Sequence, residues 1–127
     1  MKVSIGDFLP DIKLKNQYNE LIDVNKLTEK SNLVLFFYPK DNTSGCIKEV
    51  CSFRDHFEDF KSKNTEVIGI SGDSVTSHKA FSERFNLSFS ILSDEKNKIR
   101  KKMGVPKNLF FIPLPEKMGA KTNFAPK

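Results

Sequence analysis

An uninterrupted apolar run, Leu33-Val34-Leu35-Phe36-Phe37-Tyr38, is the feature that most limits how this chain can fold. The run contains β-branched and aromatic residues, and Pro39 ends it. A strand with one face in water alternates apolar and polar residues, whereas a strand covered on both faces is apolar throughout. The run therefore predicts a central strand with other elements packed against both faces of its sheet.

Helix-type and strand-type segments alternate after this strand. Apolar residues at three- and four-residue spacing predict an amphipathic helix from Cys46 to about Phe60. A second buried strand is predicted for residues 66–71, and a helix capped near Ser74 then runs to about Phe85. The residues predicted to face the core from these two helices are Ile47, Val50, Phe53, Phe57 and Phe60 in the first, and Val75, Phe81 and Phe85 in the second.

A third strand, Phe89-Ser90-Ile91-Leu92, completes the alternation. Ser93-Asp94 is predicted to cap a short lysine-rich helix that ends near Gly104. The order βαβαβα predicts an α/β fold with a mainly parallel central sheet flanked by helices. The first thirty residues, which contain short alternating segments, are predicted to form a hairpin at the margin of that sheet.

The last part of the chain differs from the rest. From Pro113 it contains three prolines and a glycine, and it has neither helical nor strand periodicity. We therefore expect a single domain over residues 1–112 and a disordered tail over residues 113–127. A sheet that stopped after three strands and a hairpin would have an open edge.

Composition excludes several classes of protein. No apolar run approaches the ~20 residues of a membrane-spanning helix, and the N-terminus has no apolar signal segment. We expect a protein of the cytosol or of another reducing compartment. The net charge of +5 comes mostly from lysines that are spread along the chain. Only Lys98–Lys102 forms a basic cluster, so a solvated surface is a better interpretation than nucleic-acid binding.

The two cysteines, Cys46 and Cys51, point to redox chemistry. A tetrahedral zinc site would need two further ligands, and His56 and His78 have no suitable spacing. A cytosolic cysteine pair is more often catalytic or redox-sensing than structural. Cys46 is predicted in the first turn of a helix, where unpaired N–H groups and the helix dipole favour the reactive thiolate. The alternative is a small buried apolar cysteine.

Cys51 lies five residues further along the same predicted helix. The helical rise alone separates the two residues by about 7.5 Å, and disulfides join Cα atoms roughly 4.4–6.8 Å apart. A Cys46–Cys51 disulfide therefore requires the first helical turn to unwind, which suits a redox switch better than a structural bond. The alternative is that Cys51 belongs to the core.

The segment from Pro39 to Cys46 resembles the Pro-x-x-x-Thr-x-x-Cys signature of peroxiredoxins. Its continuation through Cys51 to Asp55 resembles the Q-type (bacterioferritin-comigratory-protein-like) subgroup, which has a second cysteine five residues on. Further segments resemble that subgroup over residues 3–109: Gly6-Asp7 with Pro10, the strand Phe36-Phe37-Tyr38, Val67–Ser71, Ser77-His78-Lys79 with Phe81, and Leu92-Ser93-Asp94.

This resemblance implies a thioredoxin-like fold and a monomeric thiol peroxidase acting on hydrogen peroxide and organic hydroperoxides. Cys46 would be the peroxidatic thiolate, and Cys51 would resolve its sulfenic acid to an intramolecular disulfide. A thioredoxin-type partner would reduce that disulfide. Thr43 would hydrogen-bond the thiolate and the peroxide, and Pro39 would shield the pocket. Neither a metal nor an organic cofactor is implied.

The resemblance fades after Pro113, and no arginine follows Arg100. In relatives, an arginine in this region helps to position the peroxide, and further strands and a C-terminal helix follow. We therefore expect the last strands and that helix to be missing and the activity to be lowered. Arg54 and Arg100 are the only candidate substitutes, and Arg100 is left out of the site because it lies in the wrong segment. The alternative function is a weakly active or inactive thiol redox sensor or interaction module of the same fold.

Overall fold

The computed structural model describes residues 9–38, 40–42, 44–104 and 112–114. For residues 44–46, 49 and 112–114 it describes the backbone only. The elements, in chain order, are β1 (Lys13–Lys15), β2 (Leu21–Asp23), α1 (Val24–Leu27), β3 (Asn32–Phe37), α2 (Ser44–Asp55), α3 (Phe57–Ser62), β4 (Thr65–Ser71), α4 (Val75–Phe85), β5 (Ser90–Ser93), α5 (Lys98–Lys102) and β6 (Ile112–Leu114).

A mixed six-stranded sheet in the order β2-β1-β5-β4-β3-β6 forms the centre of the fold. Strands β3, β4 and β5 are parallel, and β3 pairs with β4 over six residues, from Asn32 with Thr65 to Phe37 with Ile70. The predicted marginal hairpin is confirmed, because β1 and β2 pair antiparallel and β1 joins the sheet beside β5. The structure therefore confirms the predicted α/β class.

Strand β3 is buried on both faces, as the apolar run predicts. Leu33, Leu35 and Phe37 belong to one core cluster, whereas Val34 and Phe36 belong to a second cluster on the opposite face of the sheet. Successive side chains of a strand point to opposite faces, so an uninterrupted apolar run fills both cores. The residues predicted to face inward from the helices all belong to the second cluster or pack against it, except Val75, which is half-buried.

The helix predicted from Cys46 to Phe60 is divided in two. α2 ends at Asp55 and α3 begins at Phe57, with His56 between them at φ −106° and ψ 15°. The backbone N–H of His56 and its ring Nδ1 both donate to the carbonyl of Ser52, at 3.1 Å and 2.9 Å. A side chain that competes for a carbonyl of the helical ladder is a recognised cause of a kink.

The predicted cap of the last helix is correct in its chemistry but displaced in position. α5 begins at Lys98, after Asn97 in the left-handed region at φ 55°. The carboxylate of Asp94 accepts hydrogen bonds from the N–H groups of Ile99 and Arg100, at 3.1 Å each. Asp94 lies four residues before the first residue of α5, and its side chain satisfies backbone N–H groups in the first turn of that helix.

The expectation that the sheet ends before residue 113 is wrong. β6 (Ile112–Leu114) pairs antiparallel with β3, and Pro113 lies opposite Val34. Proline has no N–H to donate and is found in edge strands, and β6 is the outermost strand on this side of the described sheet. The proline conceals the strand in the sequence. Residues 115–127 of the predicted tail lie outside the described residues.

In the part of the chain that the structure describes, no helix is both long and apolar enough to cross a bilayer.

Substitution of Gly69 tests the packing of β3 on β4. A Cβ atom at Gly69 would lie 2.7 Å from Cζ of Phe36, which is fully buried and cannot move aside. We expect Gly69→Ala to lower the free energy of unfolding by about 1–3 kcal/mol, measured by urea denaturation. Gly72→Ala is the matched control, because its Cβ would meet the polar end of the Asn97 side chain at 3.0 Å. An equal loss in both variants would contradict this account.

Candidate active site at the start of α2

The predicted site residues fall at the carboxyl end of β3 and in the helix that follows. Pro39 and Thr43 lie outside the described residues. Cys46 is the third residue of α2, and the course of its backbone confirms the predicted place in the first helical turn. Cys51 is in the same helix, where its thiol is free and partly exposed. One helix therefore carries both cysteines, as predicted.

Asp41 is the buried centre of the segment between β3 and α2. The residue is 4% exposed, and its carboxylate takes part in three side-chain hydrogen bonds. Oδ1 accepts from the hydroxyl of Tyr38 at 2.8 Å, whereas Oδ2 accepts from the hydroxyl of Ser77 at 2.8 Å and contacts Nδ1 of His78 at 2.8 Å. A buried carboxylate with this many partners is fully compensated for its loss of water.

His78 is the main partner of Asp41 and is fully buried. Its Nε2 donates to the carbonyl of Leu92 in β5 at 3.0 Å, while Nδ1 forms a hydrogen bond of 2.8 Å with the Asp41 carboxylate. The imidazole–carboxylate pair therefore connects the segment after β3 to α4 and β5.

The backbone of Asp41 is fixed as well. Its N–H donates to Oδ2 of Asp73 at 2.7 Å, and the same oxygen accepts from the hydroxyl of Ser71 at 2.7 Å. Ser93 donates to the carbonyl of Asp73 at 2.6 Å. The carboxyl ends of β3, β4 and β5 meet at one edge of the parallel sheet, and these bonds join them there.

Asn42 completes the fixed segment. It is in the left-handed region at φ 66°, which asparagine tolerates better than most residues. Its side-chain oxygen accepts a hydrogen bond of 2.8 Å from Nη1 of Arg84, in the last turn of α4. Helix α4 thus contacts this segment at two points. Ser77 and His78, in its first half, bond Asp41, and Arg84, near its end, bonds Asn42.

The two arginines considered as substitutes in the thiol site are engaged elsewhere. Arg54, in the last turn of α2, donates to the carbonyl of Phe85 at 2.9 Å and forms an ion pair of 2.9 Å with Asp55. Arg100 donates from Nε to the side chain of Asn97 at 3.3 Å. Arg84, which the sequence analysis missed, is the arginine that contacts the segment before Thr43.

Asp41, Asp73 and His78 bring possible metal ligands within 4.8 Å of one another in the described part of the chain. The oxygens and the nitrogen concerned already accept or donate the short hydrogen bonds given above. In this structure the three residues form a hydrogen-bond network.

Comparison with known proteins agrees with the fold and the motif. Residues 5–124 match the AhpC/TSA family, and the chain belongs to that family. Peroxiredoxin Q, chloroplastic, from Triticum aestivum is 50% identical over 109 residues, which are 86% of this chain and 50% of that protein. The protein of the same name from Arabidopsis thaliana is also 50% identical, with the same coverage of both chains. The chain spans about half the length of the curated relatives it matches.

Two solved structures are similar over nearly the whole chain. Peroxidoxin BcpB from Mycobacterium tuberculosis has a TM-score of 0.86 and 26% identity, and the match covers 96% of this chain and 86% of that one. A cysteine-to-serine mutant of PrxQ from Xylella fastidiosa has the same TM-score and identity, and the match covers 100% and 90%. The resemblance to Q-type peroxiredoxins and the thioredoxin-like fold are thereby confirmed.

Removal of one partner of the buried pair tests its place in the fold. Asp41→Ala leaves His78, Ser77 and Tyr38 without their acceptor, and we expect a loss of about 3 kcal/mol in the free energy of unfolding. The double variant Asp41→Ala/His78→Leu also removes the unpaired imidazole, but the hydroxyls of Tyr38 and Ser77 and the carbonyl of Leu92 stay without a partner, so it should recover only part of that loss. Urea denaturation measures both values. A single variant as stable as the native chain would contradict the described network.

Proposed function

We propose that the protein is a thiol peroxidase that reduces hydrogen peroxide and organic hydroperoxides, with Cys46 as the attacking residue. The observation that carries this proposal is the position of Cys46 in the first turn of a helix of 12 residues, five residues after Asp41, which buried hydrogen bonds hold in place. The unpaired N–H groups of such a turn favour a thiolate, which is the nucleophilic form of cysteine. The AhpC/TSA family match and the peroxiredoxin Q relatives support the same activity.

In the first proposed step, the Cys46 thiolate attacks the terminal peroxide oxygen and breaks the O–O bond. The sulfur is oxidised to sulfenic acid, and the leaving alkoxide or hydroxide takes a proton to give an alcohol or water. Thr43 would donate a hydrogen bond at this site and Pro39 would exclude water, roles that the resemblance to peroxiredoxins supports.

In the second step, the thiol of Cys51 attacks the sulfenic sulfur, a disulfide forms and water leaves. The two residues are five positions apart in α2, about 7.5 Å along the helix axis, so the first turn must unwind for the bond to form. A dithiol protein of the thioredoxin type would then reduce the disulfide by thiol–disulfide exchange. A chain that works through one intramolecular disulfide needs no second subunit, and we propose that it acts as a monomer.

The cytosolic location predicted from the sequence stays a prediction, and the relatives named above are chloroplastic.

A redox sensor without turnover is the second candidate function. It is favoured by the engagement of Arg54 with Phe85 and Asp55 at the far end of α2, eight residues from Cys46. An arginine engaged in this way does not supply Cys46 with the charge-assisted donor that stabilises reacting oxygens. Both candidates form the disulfide, but only the peroxidase repeats the cycle when a thioredoxin system and excess peroxide are supplied.

The two cysteines can be separated by serine variants. We expect Cys46→Ser to abolish peroxide consumption, because it removes the nucleophile. Cys51→Ser is the matched control in the same helix, and it should still react once and gain one oxygen at Cys46 without forming a disulfide. Peroxide decay and intact mass measure these outcomes. Continued consumption by Cys46→Ser would overturn the proposal, and a single oxidation of the native chain without cycling would favour the sensor.

A further inference from the structure

Helix α4 contacts the chain on both sides of the turn that carries Cys46. Before that turn, Ser77 and His78 bond the carboxylate of Asp41, and Arg84 bonds the side chain of Asn42. After it, Arg54 of α2 donates to the Phe85 carbonyl at the end of α4.

Among the described side chains of α2, those of the second half are buried more deeply in the core than those of the first. Val50 is fully buried in the same cluster as Phe81 of α4, and Phe53 packs against that cluster. Between Asn42 and Val50, the two described side chains are Ile47, which is half-buried, and Lys48, which is exposed. Of the side chains described in this stretch, only that of Ile47 packs against the core, and it is half-buried, whereas unwinding beyond Lys48 removes the fully buried Val50 from the core.

We propose that Asp41 and His78 are positioning residues that set the upstream limit of this unwinding and confine it to residues 44–49. The expected effect on the catalytic rates rests on the proposed peroxidase function. The confinement of the unwinding to residues 44–49 is a property of the reduced protein and does not depend on that function.

The pair of Asp41 and His78 can limit the unwinding because the hydrogen-bond partners of Asp41 described above all lie outside α2. Asp41 remains bonded to Tyr38, Ser77, His78 and, through its N–H, to Asp73 while α2 unwinds, so the chain reaches the opened segment from a fixed point. A shorter mobile segment has less conformational entropy to lose when it refolds. The folded turn is therefore restored readily after each reduction, and it holds the geometry needed for attack on peroxide.

Without the pair, the mobile segment would extend back toward β3, and the open form would become more populated. Attack on peroxide requires the folded turn, whereas attack of Cys51 on the sulfenic acid requires the open form. The two steps should therefore respond in opposite directions. A purely structural loss of stability would slow both steps and would not produce such a split.

Hydrogen exchange of the amides of residues 48–50 tests the confinement directly, because these groups bond the carbonyls of residues 44–46 in a regular helix. In Asp41→Ala/His78→Leu we expect their exchange to quicken at least tenfold relative to the amides of β4. Glu83→Gln is the matched control, because Glu83 is exposed and lies next to Arg84 in α4. This variant should leave the exchange rates of residues 48–50 and of β4 unchanged. Unchanged exchange at residues 48–50 in a folded double variant would overturn the proposal.

Stopped-flow measurement of the two chemical steps tests the consequence. We expect oxidation of Cys46 by peroxide to slow about tenfold in the double variant, while disulfide formation keeps its rate or becomes faster. If both steps slow equally, the positioning role is wrong. If the native chain does not react with peroxide, the proposed function fails, and the exchange experiment still decides the confinement.

Ser77→Ala serves if the double variant does not fold. It removes one of the three bonds to the Asp41 carboxylate and leaves His78 in place. The same changes in exchange and in the two rates should appear at smaller size, and their absence would count against the proposal.

Discussion

Burial of β3 on both faces is the constraint on which the rest of the structure depends. Its side chains alternate between the two core clusters, and it pairs with β4 on one side and β6 on the other. A strand fixed in this way ends at a defined point, so Tyr38 and Asp41 follow it at the edge of the sheet where β4 and β5 also end. The start of α2, and with it the backbone of Cys46, is positioned from that edge.

The site combines a fixed segment around Asp41 with a helix that opens under the proposed disulfide chemistry. The polar network around Asp41 is buried and its described members are paired, which is the condition under which buried polar groups stabilise a unique arrangement. Among the described side chains in the first half of α2, Ile47 is half-buried against the core and Lys48 is exposed, whereas Val50 is fully buried. Thiol chemistry that ends in a disulfide between two positions of one helix needs both properties, because the nucleophile must be placed for attack and then released.

The sequence predicted well those features that depend on local pattern. The apolar run gave β3, helical spacing gave α2 and α4, and the signature from Pro39 to Cys46 identified the family. The pair of Asp41 and His78 joins residues 37 positions apart, so no local pattern contains it. One signal was present, since His78 falls three residues from both Val75 and Phe81, on the inward face of α4. A polar residue on such a face needs a buried partner. β6 was missed because Pro113 interrupts its alternation, and the break at His56 depends on a side-chain bond that periodicity does not reveal.

The central claim is that Cys46 and Cys51 form one redox unit whose helix opens during the reaction. The intact mass of the reduced chain, taken before and within seconds after one equivalent of hydrogen peroxide, tests it most directly when combined with peptide mapping. The account predicts a rapid loss of two hydrogens, mapped to a bond between Cys46 and Cys51. An unchanged mass, or slow oxidation scattered over methionines and both cysteines, would contradict it.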